Sequence, residues 1–149
     1  MERMQTGPVV MLDGAHNEDK MRAAAGAMAQ RFPGRRRVVV LAVKSDKAYR
    51  DLLPLALAGA DQLVVTRFGG HGARGPVEPD VLAAAARALF PDLPVSVEQE
   101  PMEALGRAMA AAGPSGVVWV TGSLYLAGEV RERWQPEDDL IVAAETGWA

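Results

Sequence analysis

Short apolar runs alternate along this chain with longer stretches whose apolar positions recur at helical spacing. A run bounded by turn residues reads as a buried strand, and a period near 3.6 reads as a helix packed on one face. The first strand is Pro8 to Leu12. Asn17 then caps a helix that continues to Arg31, where Phe32-Pro33-Gly34 stops it. Arg37 to Val43 is a continuous apolar strand of the kind covered on both faces. Asp46 opens a helix to Ala58, with Pro54 expected to kink or shorten it. Gln62 to Thr66 is a strand, followed by a glycine-rich stretch from Gly69 to Gly75. Pro79 to Phe90 is an alanine-rich helix, Pro94 to Val97 a short strand, and Pro101 to Ala112 a helix ended by Gly113. Gly116 to Val120 and Leu124 to Arg133 give a last strand and helix.

Strand–helix units in series predict an α/β domain: a three-layer, Rossmann-like arrangement, mostly parallel sheet with helices on both faces. Met1 to Thr6 is a candidate N-terminal edge strand of mixed polarity. The tail after Trp134, acidic and then apolar, receives no placement. With 149 residues, no internal repeat and no linker, the chain reads as one domain.

Composition narrows the function classes. Apolar residues make up 49% and charged residues 23%, a globular balance. A net charge of −3 gives no general attraction to nucleic acid or anionic membrane, and neither is expected as a partner. Arg35-Arg36-Arg37, the one basic run, reads as a solvated connection. The lack of cysteine, of an N-terminal leader pattern and of any membrane-length apolar stretch leads us to expect a cytoplasmic protein.

Three strand-to-helix turns carry chemistry. In an open α/β sheet, ligands bind in the crevice at the carboxyl ends of strands. Asp13-Gly14-Ala15-His16-Asn17 is such a turn. A plain turn accounts for Gly14 and for Asn17 as a cap, but leaves the carboxylate and the imidazole unexplained. A helix N-terminus there favours an anion, and the imidazole can donate to it or meet a metal. Gly122-Ser123-Leu124-Tyr125 is a second turn, with Ser123 placed either to cap the helix or to touch a ligand carboxylate. Val43-Lys44-Ser45-Asp46-Lys47 ends the second strand, where a lysine can reach the crevice as a point charge.

Gly70-His71-Gly72-Ala73-Arg74-Gly75 fits a dinucleotide-binding fingerprint, with Glu98 near the end of the next strand. Two details oppose that reading. The third glycine belongs inside the helix, yet Gly75 is followed by Pro76 and Pro79. Gly69 also widens the loop. No lysine follows a glycine as a Walker A loop requires, and there is no G-x-S-x-G elbow. Two histidines without cysteine make no protein-built zinc site, and no metal ligands are assigned.

Asp-Gly-Ala-His-Asn after an apolar strand, with Thr-Gly-Ser-Leu-Tyr-Leu-Ala-Gly-Glu-Val near the end, resembles the C-terminal domain of the folylpolyglutamate synthase / dihydrofolate synthase family, within the Mur ligase superfamily. Leu41 to Lys47 resembles the family segment that commonly ends in Asp-Lys, and Ala73-Arg74-Gly75 resembles one with an arginine before the third helix. The resemblance implies an ATP-dependent amide ligase. In it a folate or dihydropteroate carboxylate is phosphorylated by ATP with Mg2+, and L-glutamate's amine displaces phosphate. ATP and Mg2+ would be held mainly by a P-loop domain. Carried onto this sequence, Asp13 and Asn17 would lie near the nucleotide and His16 between the phosphates and the incoming glutamate. Lys44 or Lys47 would pair with a glutamate carboxylate, and Ser123 with Tyr125 would hold the amino acid.

The resemblance also implies departures. The P-loop domain is absent from these residues, and the family's nucleotide-contacting arginine would fall just before Met1, with Arg3 no obvious substitute. The expectation is therefore a fragment cut at the inter-domain hinge that cannot ligate alone. The alternatives are a free-standing nucleotide-binding or regulatory module built on Gly70 to Gly75, and the C-terminal domain of a cell-wall Mur ligase. The ligase reading requires Asp13, His16, Lys44 or Lys47, and Ser123 to converge along one rim of the sheet.

Overall fold

The computed structural model describes residues 1–69 and 74–136. Along the chain the elements are β1 (Glu2–Thr6), β2 (Val9–Leu12), α1 (Glu18–Arg31), β3 (Arg37–Leu41), α2 (Tyr49–Leu57), β4 (Gln62–Val65), α3 (Pro79–Leu89), β5 (Val95–Val97), α4 (Pro101–Ala112), β6 (Val117–Thr121) and α5 (Leu124–Arg131). The strands lie in the order β1-β2-β6-β3-β4-β5. All neighbours are parallel except β1, which pairs antiparallel with β2 as an edge strand. The fold is therefore α/β with a mostly parallel sheet.

Strand alternation sends residues to two cores. Val9, Met11, Val39, Leu41, Leu63, Val65, Val117 and Trp119 face a layer that takes Met21 and Met28 from α1, Leu52 and Leu53 from α2, and Leu82 from α3. Val10, Leu12, Val38, Val40, Val64, Val118 and Val120 face α4 and α5 through Leu105, Ala108, Leu126 and Val130. β2, β3 and β6 are buried along their whole length, which is why their sequences are apolar runs rather than alternating ones.

Two expectations change. α2 starts at Tyr49, not Asp46. The preceding residues are drawn into an antiparallel bridge, Lys44 to Pro76, with Ser45 N donating to Gly75 O (2.9 Å) and Val77 N to Val43 O (2.7 Å). That bridge fixes Lys44 at the carboxyl end of β3. Pro54 lies inside α2. The Arg35–Arg37 run is a solvated connection only in part: Arg36 is exposed, whereas Arg37 opens β3 and is buried. Arg35 Nε donates to Ser115 O (2.7 Å) and Arg36 Nε to Ala111 O (2.8 Å), so both serve carbonyls at or just beyond the end of α4. Arg37 is only 7% exposed.

Of the glycine-rich loop, Gly70 to Ala73 lie outside the described residues, as does the chain after Pro136. Gly75 precedes α3, whose first residue is Pro79. A fingerprint glycine inside that helix is thus ruled out for Gly75.

Candidate functional site

β2, β3 and β6 are adjacent and parallel, so the turns that follow them emerge side by side on the carboxyl rim of the sheet. Gly122 allows the β6–α5 turn. Its φ is +99°, and a Cβ there would overlap the carbonyl oxygen of Ala42 at the end of β3. Gly14 allows the β2–α1 turn to pass beneath Leu124, whose side chain occupies the space of a would-be Gly14 Cβ. The two turns therefore meet across Leu124, which stays 66% exposed.

Between them lies a cavity of about 140 Å3 lined by His16, Lys44, Lys47, Gly122, Ser123, Leu124 and Tyr125. It is smaller than the roughly 300–1,000 Å3 of a pocket that encloses a drug-sized ligand. Two lysines and an imidazole line it, and among the described residues no carboxylate does. Lys44 Nζ stands 5.9 Å from the centre of the Tyr125 ring and 3.9 Å from Asp46 Oδ2, a loose ion pair. Tyr125 stacks at a tilt on Phe68, with ring centres 5.5 Å apart.

Ser123 is 3% exposed and caps α5, its Oγ accepting from the Tyr125 and Leu126 amides (3.1 and 3.5 Å). The cap occupies the oxygen's acceptor side and leaves the O–H as a donor. The first turn of α5 carries no acidic side chain, so no carboxylate within that turn offsets its positive end. α1 differs. Asn17 caps it by accepting from Lys20 N (2.9 Å), and Glu18 with Asp19 already counter its N-terminal charge. An anion is thus better received by α5 than by α1.

His16 Nδ1 lies 2.8 Å from Gly14 O. A carbonyl oxygen only accepts, so Nδ1 donates and Nε2 of the neutral ring holds the lone pair.

Five of the residues singled out by sequence, His16, Lys44, Lys47, Ser123 and Tyr125, come together at this cavity. Asn17 lines an adjoining groove with His16, Lys47, Asp46 and Asp51. Asp13 is on neither wall. It is 8% exposed and its carboxylate faces inward. Oδ1 accepts from Ala15 N (2.7 Å) and from Thr121 Oγ1 (3.0 Å), and Oδ2 accepts from the Trp119 indole N–H. A carboxylate engaged in this way ties the two turns together. Trp119 and Thr121 escaped the sequence reading because their signal lies in strand pairing. Met11 sits opposite Trp119 and Leu12 opposite Val120. Only that register brings Asp13 level with Thr121.

Larger hollows lie at the other end of the sheet, among them one of about 570 Å3 lined by Arg35, Arg36, Arg37 and Asp61. The side chains of Arg35 and Arg36 are committed to backbone carbonyls there. Among the described residues, no group of three or more His, Asp or Glu is placed to hold a metal ion, and no helix is long and apolar enough to cross a membrane.

Comparison with known proteins gives three concordant findings. Residues 1–124 match the family model for the Mur ligase glutamate ligase domain. The chain is 29% identical over 136 residues to the dihydrofolate synthase/folylpolyglutamate synthase of Bacillus subtilis, covering 89% of this chain and 29% of that protein. It is 32% identical over 145 residues to the enzyme of the same name from Mycobacterium tuberculosis, covering 88% of this chain and 29% of that protein. The crystal structure of M. tuberculosis folylpolyglutamate synthase complexed with ADP and AMPPCP superposes with a TM-score of 0.79 at 30% identity, covering 90% of this chain and 31% of that one. The chain spans about three-tenths of the length of these relatives.

Proposed function

This chain belongs to the Mur ligase family as a glutamate ligase domain, and from that membership we propose that its rim cavity binds the incoming L-glutamate of a folate-directed, ATP-dependent amide ligase. The observation that carries the reading is the convergence of His16, Lys44, Lys47 and Ser123 on one small cavity that no carboxylate lines among the described residues. A glutamate carboxylate meets two ammonium groups, the Ser123 O–H and the positive end of α5. His16 Nε2 accepts a hydrogen bond from the amino group. Tyr125 supplies an apolar wall, and Leu124 closes the side toward Gly14.

On this reading the chain's work is positioning. With its carboxylate neutralised and its amine oriented, glutamate is ready to attack an acyl phosphate formed on the folate or dihydropteroate carboxylate. The nucleotide, and the Mg2+ that accompanies it, are held mainly by a P-loop domain outside these 149 residues. The described residues do not fit a metal site, so no step assigned to this chain passes through one. Asn17 lies beside His16 on the adjoining groove, and we assign that side to the nucleotide. Asp13 contributes from within the fold. The chain spans about three-tenths of its relatives' length, and by itself it holds glutamate weakly and does not ligate.

The test has two arms. Saturation-transfer NMR on the purified chain should show L-glutamate contacting it, with the signal lost in Lys44→Met. An ATP-dependent glutamate-incorporation assay on the same protein should show no turnover. Glutamate contact that survives loss of both Lys44 and Lys47 would overturn the assignment of the cavity. Robust turnover by the chain alone would overturn the positioning role.

A further inference from the structure

We propose that Asp13, Trp119 and Thr121 form a positioning lock that holds His16 in its Nδ1–H tautomer, presenting the Nε2 lone pair to the cavity. The proposal deepens the functional reading above, since it assigns how the residue that meets the amino group is oriented.

The links run in sequence. Trp119 and Thr121 are both fully buried on β6, two residues apart and therefore on the same face of the sheet. Each points a donor at the Asp13 carboxylate, the indole N–H at Oδ2 and the hydroxyl at Oδ1 (3.0 Å). Asp13 N donates to Val120 O (3.1 Å), so backbone and side chain of Asp13 are both tied to β6. Oδ1 also accepts from Ala15 N (2.7 Å), which folds residues 13–15 into an Asx-turn. That turn aims the Gly14 carbonyl at His16 Nδ1, 2.8 Å away.

An unconstrained neutral imidazole in water favours the Nε2–H form, whose outward nitrogen donates. Against Gly14 O the preference reverses, and the outward nitrogen accepts. An amino group carries donors, so only the reversed tautomer matches it. Asp13 and its two donors thus select the hydrogen-bonding sense of His16 without touching the ligand, and all three are positioning residues.

The arrangement also joins the two turns that build the cavity. Trp119 and Thr121 precede Gly122-Ser123 directly, whereas Asp13 precedes His16 by three residues. Loosening the lock should therefore disturb His16 more than Ser123, whose cap bonds lie within α5.

The test reads the tautomer without any ligand. The chain has two histidines, His16 and His71, so H71Q leaves a single imidazole. In alkaline buffer, long-range 1H–15N correlation of that imidazole should show Nδ1–H as the majority form. Asp13→Asn keeps one acceptor oxygen, so its NH2 faces either the Trp119 N–H or the Thr121 hydroxyl and Ala15 amide; either way a link is lost and the Nδ1–H fraction should fall. Trp119→Phe and Thr121→Val each remove one donor and should lower the Nδ1–H fraction part-way, which keeps the test available if D13N fails to fold. An Nε2–H majority in the parent protein overturns the lock, and so does an unchanged ratio in folded D13N, or in both W119F and T121V. Failure of glutamate to bind would count against the functional reading and leave this result standing.

Discussion

Ser123 separates helix capping from ligand binding, and a pair of substitutions divides the two. Ser123→Ala removes the acceptor for the Tyr125 and Leu126 amides while leaving the lysines and the helix end in place. Loss of an N-cap oxygen costs about 1–2 kcal/mol, and the burial of Ser123 at 3% exposure places it toward the upper end because water cannot replace the hydroxyl. For a chain of this size that is a fall in Tm of roughly 2–8 °C. Glutamate binding should weaken only by the loss of one hydroxyl donor, about 3–10-fold. Ser123→Asp does the opposite. Aspartate keeps the capping acceptor, although its charge at a position only 3% exposed costs some stability of its own. Its carboxylate, however, would sit beside the bound one. At about 6 Å and an effective dielectric near 20 the repulsion is about 2.8 kcal/mol, reduced by the neighbouring lysines. The expected loss of binding is tenfold or more. Urea denaturation followed by circular dichroism gives the first quantity, and saturation-transfer NMR with L-glutamate gives the second. A Ser123→Asp variant that binds glutamate like the parent would refute the carboxylate site. A Ser123→Ala variant of undiminished stability would refute the capping argument.

Other predictions rest on other parts of the molecule. Gly122→Ala places a side chain against the Ala42 carbonyl at a φ of +99°, so it should destabilise by about 2–4 kcal/mol in urea denaturation. Gly14→Ala meets only the movable Leu124 side chain at close range, so stability should change by less than about 1 kcal/mol, while Leu124 methyl resonances shift. Arg37 is 7% exposed with Nε unpartnered, and its contact to Ala58 O is long at 3.5 Å. Burial pulls its guanidinium below the ordinary arginine range, with Asp61 only partly opposing. Arg37→Met should therefore stabilise by about 1–3 kcal/mol, raising the urea midpoint at an unchanged slope, and a loss of stability would show that the buried guanidinium is better compensated than its contacts indicate.

Much of the fold is legible in the sequence because a parallel sheet covered on both faces writes itself as apolar runs. β3 and β6 illustrate this, since all five residues of each are buried. Proline at the start of α3 and α4 marks those helices equally plainly. What the sequence concealed is tertiary. Asp46 carries the composition of a cap, yet the bridge between Lys44 and Pro76 holds that segment out of the helix until Tyr49. The arginine run has no local sign that its members reach backbone carbonyls roughly eighty residues away.

The candidate site divides along the same line. His16, Lys44, Lys47, Ser123 and Tyr125 are each recognisable by residue type at the carboxyl end of a strand, and strand adjacency brings them together. Asp13 is equally visible, but its role depends on partners that no local pattern reveals. Asp13 and Thr121 are 108 positions apart, and Trp119 is read as core unless β2 is known to lie beside β6.

The most direct measurement is amide chemical-shift mapping of the chain during titration with L-glutamate. The expected result is a weak, saturable response confined to Gly14–Asn17, Lys44–Lys47 and Gly122–Tyr125, absent with L-glutamine at matched ionic strength and abolished in the Lys44→Met, Lys47→Met double variant. Shifts centred on Arg35–Arg37 at the opposite end of the sheet, or no saturable response at the rim, would contradict it.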